Sequence, residues 1–408
     1  MSEFDVYVGV DWATVTHQVC CLDPGGRILK QVQVPHSGAG LAMLVTELTS
    51  FGIAADRVAV AIERPDGAIV DGLLQHGFQV FAVNPKQLDR FRDRHTVAGA
   101  KDDRRDALVA GDALRTDPAA FRRVTVEDPR LVQLRELSRL HDELEHELVR
   151  LANRLREQLL RFYPELLKLS PAANEPWLWQ LLTMAPTPQD ARRVPLARWR
   201  ALLREYRIRR FTAEEVVAVV HAPPLPVAPG TLAAVTEHIG FLVPRLRLVR
   251  DQLTQCGRRL DTLLAALATG EAEAREHRDV TVLRSLPGVG RVVAATMLAE
   301  ASQLLAARDY QTLRAHAGVA PVTRQSGKGH HVMIRRSCNH RLRDAVFHWA
   351  RNSIRLDERC RAQYTRLRKR HGYARALRGL GDRLLALLMA MLASGTMYDP
   401  ARRRVVHA

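Results

Sequence analysis

Residues 5–11, DVYVGVD, with 17–23, HQVCCLD, and 27–34, RILKQVQV, decide the fold. Each is a strand-length run rich in β-branched and apolar residues, and Pro24-Gly25-Gly26 supplies the turn between the second and third. A three-strand meander is therefore expected at the start of the chain. Beyond it the pattern turns helical over 38–51, returns to a strand at 57–63 (RVAVAIE), and becomes helical again near 67–76. A further strand at 78–83 (FQVFAV) and helices after Pro85 complete the series.

The order βββαβαβα is that of the ribonuclease H-like fold, in which strands 1 and 4 lie side by side at the sheet centre. Asp11 ends strand 1 and Glu63 ends strand 4, so the two carboxylates should converge at one end of the sheet. Asp103 and Asp106, three residues apart, open a helix running to about 115 and share one of its faces. Carboxylates in a first turn also suit the positive end of a helix dipole, and for either aspartate alone that explanation suffices. Four carboxylates at these places would repel one another unless cations neutralised them. Hard oxygen donors select Mg²⁺ or Mn²⁺.

Charge indicates where nucleic acid would lie. The net charge is +17, but residues 1–124 carry 14 Lys and Arg against 16 Asp and Glu, whereas 324–404 carry 20 against 5. Such a concentration of cations is the footprint of a phosphate-binding surface, with affinity falling steeply as salt rises. Only six of the 61 basic residues are Lys, a bias that a GC-rich genome also produces, so the asymmetry carries the argument. Five cysteines, odd in number and without C-x-x-C spacing, point to reduced thiols in a cytoplasm and against a structural zinc. The N-terminus lacks a signal-like basic region. The longest apolar stretch, Leu384 to Ala393, is far shorter than the roughly 20 residues of a membrane span.

At 408 residues two or three domains are expected. We place boundaries at 1–124 for the carboxylate-bearing domain, 125–275 for a helical, coiled-coil-like and oligomerising middle, and 276–408 for a basic, mostly helical C-terminal domain. Residues 129–162 read as one long helix, with leucines at 137, 140, 144, 148, 151, 155 and 159, a spacing near 3.67 that favours a straight or slightly right-handed pairing. Residues 241–268 supply a second amphipathic helix, in a hairpin or across a protomer interface, after a loop at 221–230. Trp177 and Trp179, in apolar surroundings, read as core anchors rather than base-stacking platforms.

In the C-terminal domain, Leu286-Pro287-Gly288-Val289-Gly290 lies between helical stretches and resembles a helix-hairpin-helix turn, where Gly288 and Gly290 would let backbone N–H groups approach a phosphate. A short PGVG is weak by itself and equally makes a tight turn. The segments Ala317-Gly318-Val319-Ala320-Pro321 and Thr323-Arg324-Gln325-Ser326-Gly327-Lys328-Gly329 follow, placing a serine in a polar, glycine-rich loop. No G-x-S-x-G elbow or hydrolase triad accompanies it.

Taken together, GVDWA at 9–13, IER at 62–64, K-x-D-x-x-D-A at 101–107, LPGVG at 286–290, AGVAP with QSGK at 317–328, and Asn339-His340-Arg341-Leu342-Arg343 resemble a family. It is the DEDD transposases of the insertion-sequence group that uses a bridge RNA, with a RuvC-like N-terminal domain and a serine-bearing C-terminal domain. The resemblance covers most of the chain. It implies that Asp11, Glu63, Asp103 and Asp106 hold the divalent metal, Mg²⁺ or Mn²⁺, and that Ser326 forms a transient phosphoserine bond with DNA. It further implies a dimer or tetramer and an element-encoded guide RNA pairing with donor and target double-stranded DNA; the wide separation of the two halves in sequence leaves open both an active site within one protomer and one shared between protomers. The protein would work in a prokaryotic cytoplasm at the nucleoid. Arg324, Lys328, Arg335, Arg336, Arg341 and Arg343 are the expected nucleic-acid contacts.

Two positions depart from the family pattern. Asp102 replaces an uncharged residue, which makes it a rival to Asp103 as ligand, although spacing to Asp106-Ala107 favours Asp103. Cys338 replaces the glycine before Asn339. Two other functions compete: a RuvC-like junction nuclease that uses water, and a nucleic-acid-binding protein whose acids are structural. An actin-like ATPase is disfavoured because WATVTH after Asp11 lacks phosphate-loop glycines.

Overall fold

The computed structural model describes residues 3–64, 66–83, 85–92, 102–125, 128–269, 274–326 and 329–400. It separates into two compact units, Met1–Asp128 and Pro129–Ala408.

The first unit is a mixed α/β sheet with helices. Its strands are β1 (Val6–Asp11), β2 (Thr16–Leu22), β3 (Ile28–Pro35), β4 (Val58–Ile62), β5 (Gln79–Ala82) and β6 (Arg122–Arg123), in the sheet order β3-β2-β1-β4-β5-β6. The expected meander is present as antiparallel β1–β2–β3, and β1 lies parallel to β4 with Val10 opposite Ile62. The sixth strand was not expected from sequence, since two exposed arginines carry no alternation. The helices are α1 (Gly38–Thr49), capped by Ser37, α2 (Ala68–Gln75), α3 (Pro85–Arg92) and α4 (Asp103–Thr116).

Strand alternation divides the buried side chains between the two sheet faces. Val6, Val8, Val10, Val58, Val60 and Ile62 pack with Leu44, Leu48, Ile69 and Leu73 of α1 and α2. Tyr7, Ala59 and Ala61 pack with Ala107, Val109, Ala110 and Leu114 of α4. The central strands are apolar on both faces because helices cover both.

The second unit is built on a helical hairpin. Its first arm is α5 (Pro129–Phe162); then come α6 (Pro176–Met184), α7 (Pro188–Arg193), α8 (Leu196–Glu205) and α9 (Ala213–Val220); the second arm is α10 (Pro229–Thr269). Leu131 and Leu134 share a core with Leu260, Leu264 and Leu267, while Leu151, Leu155 and Leu159 share another with Val235, Ile239 and Leu242, so the arms run antiparallel within one chain. Each fully buried leucine contributes about 1.5–3 kcal/mol relative to exposure. Leu140, at the edge of the stripe, is 43% exposed. Helix α10 starts twelve residues before the expected position and runs through Pro244. One lost hydrogen bond is tolerated where flanking Leu242, Val243 and Leu246 are buried. Trp177 and Trp179 are core residues, 1% and 0% exposed.

The rest of the second unit comprises α11 (Ala274–Ser285), α12 (Arg291–Ala306), α13 (Tyr310–His316), a hairpin of β7 (Val322–Ser326) and β8 (Gly329–Met333), α14 (His340–Leu356), α15 (Glu358–Arg368) and α16 (Tyr373–Ser394). Among the described residues no helix is long and apolar enough to cross a membrane.

Candidate active site

Asp11 is the last residue of β1 and Glu63 follows the last residue of β4, one step beyond the Val10–Ile62 pair. Alternation places Asp11 on the same face as Tyr7 and Gly9, the face that α4 covers. Gly9 is required there: a Cβ would lie 1.8 Å from the carbonyl oxygen of Ala107 and 2.5 Å from the nitrogen of Gly111. The α4 backbone thus rests directly on β1. At the other end of α4, Arg115 donates from Nη1 to the Pro24 carbonyl at 3.3 Å, beside the end of β2 that pairs with Tyr7. Helix α4 therefore runs antiparallel to β1. Its first turn, with Asp103 and Asp106, lies at the end of β1 where Asp11 stands.

The ends of β1 and β4 and the first turn of α4, which carry the four carboxylates that sequence order singled out, thus lie at one end of the sheet. Their environments differ. Asp102 is the N-cap of α4, its Oδ1 accepting from the Arg104 amide at 3.1 Å, a task that accounts for the extra acid. Asp103 is exposed, whereas Asp106 is 4% exposed and has Arg92 Nε 2.7 Å from its Oδ1. That contact is an ion pair whose angle falls short of hydrogen-bond geometry. Arg92 also meets Asp89 at 2.8 Å. A carboxylate this buried requires a cation, and Arg92 supplies one. The donor set of four carboxylates suits a hard divalent ion, which would compete with Arg92 for Asp106.

On the opposite face at the same strand end is a group that sequence reading missed. His17 is fully buried; its Nδ1 accepts from the Ala13 amide at 3.3 Å and its Nε2 lies 2.9 Å from Nδ1 of His36. Burial, and secondarily the neighbouring His36, hold His17 below its ordinary pKa. The Arg64 guanidinium sits 4.9 Å over the Trp12 ring. These contacts fix the turn that leaves Asp11. Position 17, in phase with the apolar alternation of β2, was the available signal; Arg92 had none beyond its charge.

In the second unit, Leu286–Gly290 joins α11 to α12. Gly288 has φ +84°, and a Cβ there would lie 2.6 Å from the Ser353 nitrogen. The Pro287 carbonyl accepts from Trp349 Nε1 at 3.0 Å and Ser353 Oγ at 2.7 Å. Close docking on α14 thus accounts for Gly288. Gly290 is exposed at the N-cap of α12.

Ser326 is exposed at the end of β7, opposite Gly329, so it belongs to a β-hairpin rather than an irregular loop. Lys328 and the side chain of Arg324 lie outside the described residues. The hairpin base is tied by the Asn339 amide donating to the His316 carbonyl at 2.8 Å. Gly318, with φ +66°, leaves the space that Cys338 Sγ occupies, 2.7 Å from where a Cβ would be. The turn into α14 thus accommodates Cys338, and Asn339 caps the helix through the Leu342 amide at 3.0 Å.

The expected phosphate contacts separate into two kinds. Arg336 is exposed and Arg335 half-buried. Arg341, expected to meet nucleic acid, is instead bound to its own chain: Asp142 at 3.0 Å, Glu300 at 3.1 Å and Ser138 Oγ at 2.9 Å. Arg343 meets Asp344 and His340, each at 3.2 Å. Arg361 and Arg366 of α15, with its C-cap residue Lys369, line an open groove of about 510 Å³.

A mixed sheet with β1 parallel to β4 and α4 laid on β1 is compatible with the DEDD class of transposases, and residues 8–164 match the IS110 type of that class. Residues 280–365 match the IS116/IS110/IS902 transposase family. The chain belongs to this family of DNA-cleaving enzymes. It is 34% identical to the candidate transposase of the mini-circle IS117 of Streptomyces coelicolor, over 97% of this chain and 96% of that one. A candidate transposase of Sinorhizobium fredii, y4uE, is 48% identical over 51% of this chain and 58% of its own length. The 43.6 kDa protein of the Streptomyces coelicolor insertion element IS110 is 27% identical over 98% and 96%.

Proposed function

We propose that this transposase cuts and rejoins double-stranded DNA through a divalent ion held by Asp11, Glu63, Asp103 and Asp106 and a serine nucleophile, Ser326. The observation that carries the reading is the convergence of β1, β4 and the first turn of α4 at one sheet end. Mg²⁺ or Mn²⁺ bound there would polarise the scissile phosphate and stabilise charge on the oxygens that exchange. Ser326 Oγ forms a bond to phosphorus as a strand P–O bond breaks, and the serine proton passes by way of solvent to the departing DNA oxygen. Attack on the phosphoserine by the hydroxyl of a second strand reverses the exchange, so the bond energy is kept for joining. Exposure of Ser326 on a hairpin beside a basic segment supports this role.

The family resemblance supports guidance by an element-encoded RNA, a dimer or tetramer as the working form, and domains divided near 1–124, 125–275 and 276–408. The test is Ser326→Ala. Wild-type protein on a nicked substrate should give a protein–DNA species on denaturing gels that protease removes, and the variant should give none while still binding Mg²⁺. Normal recombination by the variant would eliminate the serine mechanism and favour metal-activated water, the chemistry of a junction nuclease.

A further inference from the structure

A second set of metal-ligating side chains lies on α5, apart from the DEDD carboxylates. His141, Asp142 and Glu145 offer ligand atoms that all lie within 4.8 Å of one another, the one such trio among the described residues. The decisive member is His141. Its side chain is 8% exposed, and its Nδ1 is buried with no hydrogen-bond partner, 4.0 Å from Glu145 Oε1. That distance is too long for a hydrogen bond. A buried, unpartnered ring nitrogen with two carboxylates offering ligand atoms within 4.8 Å is what a cation would complete.

We propose that His141 Nδ1, Asp142 and Glu145 bind a divalent transition-metal ion of the zinc type, distinct from the ion of the DEDD site. Imidazole with carboxylates suits Zn²⁺, whereas Mg²⁺ requires oxygen donors. His141 and Glu145 are one turn apart and share a helix face. Coordination at about 2.1 Å with roughly tetrahedral angles sets ligand atoms about 3.4 Å apart. The required closure is a small rotamer change, which Glu145, 56% exposed, is able to make. Its exposure also opens the site to solvent, leaving the fourth position to water. Arg341 Nη1 holds Asp142 Oδ2 at 3.0 Å, and a carboxylate so held orients its other oxygen. Through that bond the ion would couple α5 to the start of α14, and so to the base of the hairpin that carries Ser326.

The test is metal stoichiometry of the full-length chain after dialysis against Zn²⁺, in a background where Asp11, Glu63, Asp103 and Asp106 are all replaced by Asn or Gln. One tightly held Zn²⁺ per chain is expected, undisturbed by excess Mg²⁺. His141→Ala should abolish it, and Glu145→Gln, an exposed change that leaves the fold intact, should weaken binding at least tenfold. Zn²⁺ should also raise the melting temperature of the parent more than that of Glu145→Gln. Absence of a tight Zn²⁺ in the parent, or equal retention by Glu145→Gln, would overturn the site and leave His141 as an ion-pair partner of Glu145. Neither outcome depends on recombination activity.

Discussion

Arg92→Ala tests the DEDD site most directly, because it removes the cation now facing a buried carboxylate. Asp106 is 4% exposed and its Arg92 partner 25% exposed, 2.7 Å away. Removing one member of a fully buried pair costs about 3–5 kcal/mol. Water reaches this pair through the exposed quarter of Arg92, which reduces the expected loss to about 2–3 kcal/mol. For a unit of this size that lowers the melting temperature by on the order of 10 °C. A divalent ion would replace the missing charge, and at about 100 times its dissociation constant it returns roughly 2.7 kcal/mol. In wild type the ion competes with Arg92, so its stabilising effect should be smaller. Calorimetry of both proteins in EDTA and in Mg²⁺ measures the difference. Arg92→Ala should be strongly destabilised in EDTA and largely restored by Mg²⁺, and the restoration should vanish when Asp11→Asn is added. If Mg²⁺ leaves Arg92→Ala unrestored, or restores it equally with Asp11→Asn present, the four carboxylates do not share an ion.

Further outcomes follow from the same geometry. Asp11→Asn, Glu63→Gln, Asp103→Asn and Asp106→Asn should each abolish strand cleavage with DNA binding retained, whereas Asp102→Asn should stay active because asparagine caps a helix about as well; an inactive Asp102→Asn beside an active Asp103→Asn would reverse the ligand assignment. Neutralising Arg336, Arg366 and Lys369 should reduce the log–log salt slope of DNA binding by roughly 0.9 per lost phosphate contact, while Arg341→Ala should cost stability and leave the slope unchanged. Gly9→Ala, which sets a methyl 1.8 Å from the Ala107 oxygen, should destabilise the first unit by about 3 kcal/mol or more in denaturant titration, and wild-type stability would mean α4 does not rest on β1. His17 has a lowered pKa in the fold, so the unfolded chain takes up the proton first: stability is full above the ordinary value of 6.5 and falls as pH drops below it. His17→Gln should flatten that dependence, and an unchanged pH profile would show that His17 titrates alike in both states.

The α/β sheet and its central β1–β4 pair were legible because strand alternation and turn residues are local signals, written within a few positions of where they act. The same holds for the placement of the elements that carry Asp11, Glu63, Asp103 and Asp106, since the order of strands and helices around one sheet places their ends predictably. Local reading also located α5, whose leucines repeat over a single helix. It set the start of α10 too late, because Pro229, Gly230 and Gly240 read locally as loop residues, whereas the segment before Phe241 forms a helix through packing of Val235 and Ile239 on α5. It also missed the β7–β8 hairpin, whose pairing of Val322 with Met333 spans polar residues with weak alternation.

What tertiary structure alone decided is which charges are already matched. Nothing near Arg341 in sequence announces Asp142, some two hundred residues earlier, and the long basic run in which it lies gave it the same reading as the exposed Arg336. Arg92 and Asp106 are similarly joined only because α3 and α4 pack together. Gly288 looks like any turn glycine until α14 lies against it. Sequence composition counts charges and glycines, but an ion pair or a close backbone approach depends on distance and burial, and those exist only once the helices are packed.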